Sequence, residues 1–168
     1  MYKRQLEYSY HYTALGQVAV ITVDDMRSGK GMRVDYCYDA FGRETERSYQ
    51  LNGQTKVRYV QTWSAANQLL SKTLYRDGSQ VRSEAFVYNT SVKGTSDELQ
   101  KWTVVAEPGE EVKDDEGHVI EEQRYEYDVL GSLTKCTTQR KNNGATETVV
   151  RTYTCLLYTS DAADDSLR

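Results

Sequence analysis

Residues 35–43 read Asp-Tyr-Cys-Tyr-Asp-Ala-Phe-Gly-Arg, and this stretch decides the fold because its pattern returns along the chain. It recurs at 125–131 as Tyr-Glu-Tyr-Asp-Val-Leu-Gly, and in weaker form at 10–16 as Tyr-His-Tyr-Thr-Ala-Leu-Gly and at 61–67 as Gln-Thr-Trp-Ser-Ala-Ala-Asn. The shared pattern is an aromatic residue, any residue, a second aromatic residue, Asp or a small polar residue, two spacers, and Gly or Asn. A motif that recurs in this way describes how a chain is assembled more than it describes a reaction.

The second aromatic residue of each motif returns at a nearly constant interval. These residues are Tyr12, Tyr38, Trp63, Tyr88 and Tyr127, with steps of 26, 25, 25 and 39 residues. Glycines follow the same phase: Gly53, Gly78 and Gly117 lie ten residues before the last three aromatics, Gly29 lies nine before Tyr38, and Gly144 lies ten before Thr154. A period of about 25 residues is typical of repeat arrays, so we predict about five to six repeat units within residues 1–154.

Each unit carries a two-residue turn signal. Asn52-Gly53, Asp77-Gly78 and Asn143-Gly144 predict type I′ hairpins, since that turn needs a positive φ at both central residues. Ser28-Gly29 and Glu116-Gly117 are weaker versions of the same signal.

The second turn signal lies inside the aromatic motif. Asp39 and Gly42, like Asp128 and Gly131, stand at the first and fourth positions of a predicted type I turn. The Asp side chain at the first position can accept a local backbone hydrogen bond.

Between the turns the sequence alternates with the period of a β-strand. Val57, Tyr59, Gln61 and Trp63 share one face, and no window shows the apolar stripe of a helix. We therefore predict an all-β fold of consecutive antiparallel β-hairpins, present here as an open fragment. An isolated hairpin is barely stable in water, so stacked hairpins must supply stability to their neighbours.

The fourth unit departs from the period, because fourteen extra residues separate Tyr88 from Tyr127 relative to the usual 25. We predict an extended acidic hairpin loop near 93–117, with a possible strand from Leu99 to Val105 and with Trp102 over the sheet. Residues 155–168 are a second departure: positions 155–165 match one translated frame of a common sequencing adapter. We interpret that tail as non-native and expect the natural protein to continue beyond Thr154.

Composition excludes several classes of function. A net charge of −4 lacks the basic excess that nucleic-acid binding requires. The longest apolar runs are too short for a membrane span. Cys37, Cys136 and Cys155 have neither paired nor metal-like spacing.

The motif at 36–43 and 125–131 resembles the YD repeat of the Rhs family, whose common form is Y-x-Y-D-x-x-G-R-L. The elongated unit, from Tyr88 through the Pro-containing acidic stretch to Ile120, is similar to the Rhs-like subunits of bacterial insecticidal toxin complexes. The resemblance implies hairpins that wind into a hollow β-shell around a toxin segment or a partner toxin-complex subunit, in a secreted or cell-surface protein. The family's self-cleaving core segment and a toxin domain have no counterpart here, so no catalytic residue is carried over.

Several candidate sites compete with purely structural interpretations. The aromatic pairs could stack on sugar rings, which leaves a carbohydrate- or receptor-binding adhesin surface as the alternative function, although their phase favours packing. Asp39 and Asp128 could act as catalytic carboxylates, but the turn accounts for both.

The stretch 114–118, Asp-Asp-Glu-Gly-His, offers oxygen ligands and an imidazole without the spacing of a calcium loop, and we interpret it as a solvated loop tip. His11 and His118 are the only histidines, and neither they nor Cys37 and Cys136 stand in an arrangement typical of nucleophilic catalysis. We therefore predict no enzymatic activity, no cofactor and no metal.

The sequence assigns a structural role in the repeat to sixteen residues. They are Tyr12, Gly16, Tyr36, Tyr38, Asp39, Gly42, Gly53, Trp63, Gly78, Tyr88, Gly117, Tyr125, Tyr127, Asp128, Gly131 and Gly144.

Overall fold

The computed structural model describes residues 6–26, 28–91 and 94–154, with side chains described outside 90–96. The predicted adapter-derived tail, 155–168, lies outside these residues. The described chain forms eleven strands: β1 Leu6–Tyr12, β2 Val18–Asp25, β3 Gly31–Tyr38, β4 Glu44–Leu51, β5 Gln54–Trp63, β6 Leu69–Arg76, β7 Ser79–Ser91, β8 Gly94–Ala106, β9 Val119–Tyr127, β10 Leu133–Asn142 and β11 Ala145–Thr152. Within this part of the chain, no helix is long and apolar enough to cross a membrane.

The strands form one open sheet in which spatial order equals chain order, from β1 to β11. Neighbouring strands pair antiparallel, for example with Val34 of β3 opposite Tyr49 of β4. The prediction of an all-β fold of consecutive antiparallel hairpins is therefore confirmed.

The three strong two-residue turns form as predicted. Asn52 and Gly53 have φ values of 50° and 77°, and they join Leu51 to its partner Gln54. The turns at 77–78 and 143–144 have the same positive-φ pairs, 44° and 88°, and 50° and 84°. Because only Gly, Asn and Asp adopt this backbone at low cost, these dipeptides determine where the chain reverses.

The motif turns have a second, equally regular geometry. In four of them the second aromatic residue pairs with the residue six positions later. The pairs are Tyr12 with Val18, Tyr38 with Glu44, Trp63 with Leu69, and Tyr127 with Leu133. A register shift lies next to each of these four pairs, as a β-bulge at the base of the turn produces.

Two weaker turn predictions are wrong. Gly29 lies in a longer loop, in which the amide of Asp25 donates to Lys30 O at 3.0 Å and the amide of Gly29 donates to Asp25 O at 2.9 Å. Gly117 closes a motif-type turn that begins at Asp114, with Gly117 N donating to Asp114 O at 3.0 Å. The physical reason is the same in both places: an Asp upstream of the glycine accepts the turn's amide hydrogens and displaces the two-residue geometry.

The extra residues of the fourth unit do not form one loop over 93–117, so that prediction is corrected. Strand β8 occupies Gly94–Ala106, which includes the strand expected from Leu99 to Val105. Within this region, Asn89 Nδ2 of β7 donates to Glu98 Oε2 of β8 at 2.9 Å. The described part of the insertion is therefore divided between strand β8 and the segment 107–118, which joins β8 to β9.

The described chain divides into two compact units. In the first unit, which comprises 1–85 and 104–111, Val34 and Leu74 are 4% and 3% exposed. In the second unit, 86–103 and 112–168, Ile120 and Cys136 are each 7% exposed. No large side chain among the described residues is less than 2% exposed, as expected where the core is a sheet face rather than a closed interior.

Candidate functional site

The carboxylate of the motif Asp accepts hydrogen bonds from its own turn. Asp39 Oδ1 accepts the amides of Phe41 and Arg43 at 2.9 and 3.0 Å, and Oδ2 accepts from Arg43 Nε at 2.7 Å. These hydrogen bonds, that from the Arg43 side chain foremost, hold the pKa of Asp39 below its ordinary value. Asp128 likewise accepts the amides of Leu130 and Ser132, both at 2.9 Å. Both carboxylates are thus engaged as turn acceptors, as the sequence indicates.

The same five-residue turn forms at two positions without an Asp. Thr13 and Ser64 begin turns in which the amides of Gly16 and Asn67 donate to their carbonyls at 3.0 and 3.2 Å. Ser64 Oγ accepts the amides of Ala66 and Gln68 at 3.1 Å each, which is the role of the Asp carboxylate. The weaker motifs at 10–16 and 61–67 therefore form the same turn as the motifs that contain Asp.

The second aromatic residue of the motif is a hydrogen-bond donor to the backbone. Tyr38 Oη donates to Val18 O at 2.8 Å, and Trp63 Nε1 donates to Glu44 O at 2.9 Å. Each acceptor is the residue that follows the preceding motif turn. Tyr127 Oη makes the corresponding bond to Leu99 O at 2.9 Å. A phenol or an indole supplies a donor that Phe lacks, which explains why these three positions carry Tyr or Trp.

The fifth residue of a motif turn reaches forward to the next turn. Gln17 Nε2 donates to Gly42 O at 2.7 Å, and Arg43 Nη1 donates to Ser64 O at 2.7 Å. Backward bonds from the aromatics and forward bonds from the turns thus link neighbouring repeats, and we call this set of contacts the repeat ladder.

An arginine-centred ion cluster occupies the second unit. Arg140 of β10, with its side chain 10% exposed, lies 2.6 Å from Asp114 Oδ2, 2.7 Å from Glu116 Oε2 and 3.2 Å from Glu147 Oε2. Although burial opposes ionisation of Asp114, the hydrogen bond from Arg140 and those from two backbone amides lower its pKa to about 2. The interpretation of this stretch as a solvated loop tip is wrong at Asp114, because a buried guanidinium and the turn amides bind its carboxylate.

The same acids are the candidate metal ligands in the described residues. One ligand atom each from Asp114, Glu116 and His118 lies within 4.8 Å of the others. His118 Nδ1 is 3.5 Å from Asp114 Oδ1 and 3.4 Å from Glu116 Oε2. The guanidinium of Arg140 already compensates the two carboxylates at hydrogen-bonding distance, and it would repel a cation placed there. The cluster is therefore an ion network in which the acids are compensated by Arg140.

A polar cleft lies on one face of the first unit, across strands β4 to β7. Its volume is about 240 Å³, and its lining residues are Glu44, Arg47, Tyr49, Tyr59, Gln61, Lys72 and Arg82. Two pairs of directly opposed residues on neighbouring strands line it: Arg47 opposite Tyr59, and Gln61 opposite Lys72.

Hydrogen bonds hold the floor of this cleft in place. Glu44 accepts from Arg47 Nη2 at 2.7 Å and from Gln61 Nε2 at 3.0 Å. The rings of Tyr49 and Tyr59 pack edge to face with centroids 6.2 Å apart, and Arg82 Nη1 donates to the carbonyl of Glu110 at 3.3 Å. No motif in the sequence predicts this cleft, and its only signal there is strand alternation combined with the turn positions.

The remaining sequence candidates are separate from one another. Cys136 is buried, with Sγ 3.8 Å from Thr138 Oγ1, whereas Cys37 and His11 are exposed. Tyr125 of the same face as Cys136 donates to Gln123 Oε1 at 2.7 Å, and burial, foremost, raises the pKa of Tyr125 to about 12. The structure does not bring these cysteines or His11 into a common site.

Comparisons with known proteins found similarity to solved structures and to no family or curated protein. No protein-family model matches the chain, and no curated protein matches it. Among solved structures, a porin-like protein from Bacteroides uniformis is similar at 14% identity and a TM-score of 0.44, over 88% of this chain and 68% of that chain. A protein of unknown function from Bacteroides fragilis is similar at 13% identity and a TM-score of 0.20, over 88% and 89% of the two chains. Both likenesses are too distant to bear on function, and the chain is described as an all-β protein of consecutive hairpins.

Proposed function

We propose that this chain is a wall segment of a repeat-built β-shell of the Rhs/YD type, which encloses a toxin segment or a partner toxin-complex subunit and has no chemistry of its own. The observation that carries the proposal is the repeat ladder. Tyr38, Trp63 and Tyr127 each tie one hairpin to the backbone before it. Contacts of this kind allow hairpins to be added without a change of geometry.

The N-terminal end of the ladder is consistent with growth of such a wall. Tyr12 occupies the position of Tyr38 and Trp63, but its side chain is 61% exposed, and every residue of β1 is exposed. A strand added before β1 would cover this edge and offer a carbonyl to Tyr12. Exposed edges of this kind are otherwise routes to association, so the proposal places a further hairpin there in a secreted or cell-surface protein.

A designed extension tests wall growth directly. A second copy of residues 31–53 is joined to residue 3, so that Tyr12 lies ten residues beyond the copied Gly53, as Trp63 does beyond Gly53 in the chain. We expect the extended protein to unfold at a higher temperature, and Tyr12→Phe to destabilise it while leaving the unextended protein unchanged. The proposal would be contradicted if the extension unfolds separately, or if Tyr12→Phe leaves the unfolding temperature of the extended protein unchanged.

Enclosure of a cargo needs a separate experiment on the uninterrupted gene product. We expect a polypeptide downstream of the hairpins to survive protease until the sheet is unfolded. Cleavage of that segment at the same rate in the folded and the unfolded protein would remove the shell function and leave the wall geometry untouched.

A second candidate function is a glycan- or receptor-binding surface of an adhesin. The favouring observation is a row of exposed rings on β1, where Tyr8, Tyr10 and Tyr12 are 56%, 50% and 61% exposed. Exposed aromatic faces can stack on sugar rings. A glycan array probed with the wild type and with Tyr8→Ala and Tyr10→Ala separates the two functions, because only the adhesin predicts binding that the substitutions abolish.

A further inference from the structure

The cleft of the first unit holds more positive than negative charge. Its lining has three cationic side chains, Arg47, Lys72 and Arg82, and one carboxylate, Glu44. Two of the cations are compensated: Arg47 lies 2.7 Å from Glu44, and Arg82 lies 3.1 Å from Glu84.

Lys72 is the uncompensated charge. Its Nζ lies 5.5 Å from the ring centroid of Tyr59, and no carboxylate among the described residues forms an ion pair with it. Lys72 is half-buried, so the charge is partly withdrawn from water without a counter-ion.

A second donor in the cleft also lacks an acceptor. Arg47 uses Nη2 for Glu44 and Nη1 for the hydroxyl of Tyr49 at 3.4 Å, whereas its Nε is buried without a hydrogen-bond partner among the described residues. Buried donors are normally satisfied. The cleft thus combines an unpaired ammonium at Lys72 with a guanidinium nitrogen at Arg47 that has no acceptor among the described residues.

We propose that this cleft binds a small carboxylate, with Lys72 as the charge partner and the edge of Tyr59 against its apolar part. One unpaired cation matches the single charge of a carboxylate better than the double charge of a phosphate monoester. A volume of about 240 Å³ limits the ligand to the size of an amino acid or a single sugar acid. The inference stands apart from the proposed shell function, because it concerns one sheet face and no enclosed cargo.

Titration of the folded, isotope-labelled chain, followed by amide NMR, tests the site. The probes are glucuronate and N-acetylglutamate as carboxylates from two sources, glucose as the neutral analogue, and inorganic phosphate. We expect saturable shifts at Lys72 and Tyr59 with at least one carboxylate, no saturation with glucose, and weaker binding at higher salt concentration.

Matched substitutions identify the group responsible. Lys72→Met keeps most of the side-chain length and removes the charge, and we expect it to weaken carboxylate binding by about tenfold or more, whereas Lys72→Arg retains binding. Lys56→Met makes the same change of charge at a lysine that pairs with Asp77 at 2.9 Å outside the cleft lining, and it should bind as the wild type does.

Three outcomes would overturn the proposal: no saturable binding of either carboxylate to the folded protein, equal binding of glucose, or equal losses from Lys72→Met and Lys56→Met. Tighter binding of phosphate than of both carboxylates would also overturn it. Because Lys72 forms no ion pair in the described fold, Lys72→Met is expected to fold, and Lys72→Gln provides a second neutral variant that gives the same readout.

Discussion

The indole Nε1 of Trp63 donates to the backbone carbonyl of Glu44 at 2.9 Å, and in doing so it occupies the place that the hydroxyl of Tyr38 occupies toward Val18. Two chemically different rings thus make one contact, one repeat apart. The motif requires an aromatic side chain with a hydrogen-bond donor on its ring at this position. Trp can therefore replace Tyr there.

Removing the hydroxyl donor of a single motif Tyr should lower the stability that the repeat ladder provides. We expect Tyr38→Phe to lower the free energy of unfolding by about 1 kcal/mol, because the carbonyl of Val18 loses its partner, and to lower Tm by about 2–4 °C for a chain of this size. Thermal unfolding followed by circular dichroism measures both. Tyr10→Phe is the control, since that ring is 50% exposed on the edge strand, and a loss as large as that of Tyr38→Phe would contradict the ladder.

The two-residue turns should be intolerant of a Cβ at their second position. Gly53 has a φ of 77° with open space around it, so Gly53→Ala changes backbone strain and no contact. We expect a loss of about 1–2 kcal/mol, measured by denaturant unfolding. Ser79→Ala, at an exposed position just after the turn at 77–78, should stay within about 0.5 kcal/mol of the wild type, and a neutral Gly53→Ala would mean that the turn is not type I′.

Acid should weaken the second unit through Asp114. The folded pKa of about 2 lies below the value of about 3.9 for an Asp in an unfolded chain. The carboxylate therefore contributes stability that is present above about pH 4 and is lost as the pH falls through about 2. Thermal unfolding between pH 2 and pH 6 should show this slope.

Asp114→Asn is the matched variant for the acid experiment, because its amide oxygen can still accept the turn amides of Glu116 and His118. We expect the variant to lose part of the slope between pH 4 and pH 2. A pH profile that keeps its full slope in Asp114→Asn would assign the acid sensitivity to other carboxylates.

The two described cysteines should differ in reactivity. Cys37 is exposed and Cys136 is 7% exposed, so alkylation of the native protein should modify Cys37 first. Peptide mapping by mass spectrometry after increasing times measures the two rates, and denaturant should make them equal. Equal rates in the native protein would contradict the placement of Cys136 within the sheet face.

Local chemistry explains why much of the fold was predictable. Asn52-Gly53 and Asp39 act on atoms within four residues of themselves, through positive φ and side-chain acceptance of turn amides, and such effects are readable from the chain alone. The two wrong turn predictions, at Gly29 and Gly117, have the same local origin: an upstream Asp competes for the turn, and a pattern of glycines alone does not account for that competition.

The sequence by itself determined the all-β class of consecutive hairpins and the positions of the strong hairpin turns, because dihedral preferences and alternation act between near neighbours. Only the tertiary structure decided that Tyr38 donates to Val18, that Arg140 pairs with Asp114 and Glu147, and that Lys72 lies in a cleft without an ion-pair partner among the described residues. Those contacts join residues from different strands, and their distances depend on the register and bulges of every hairpin between them.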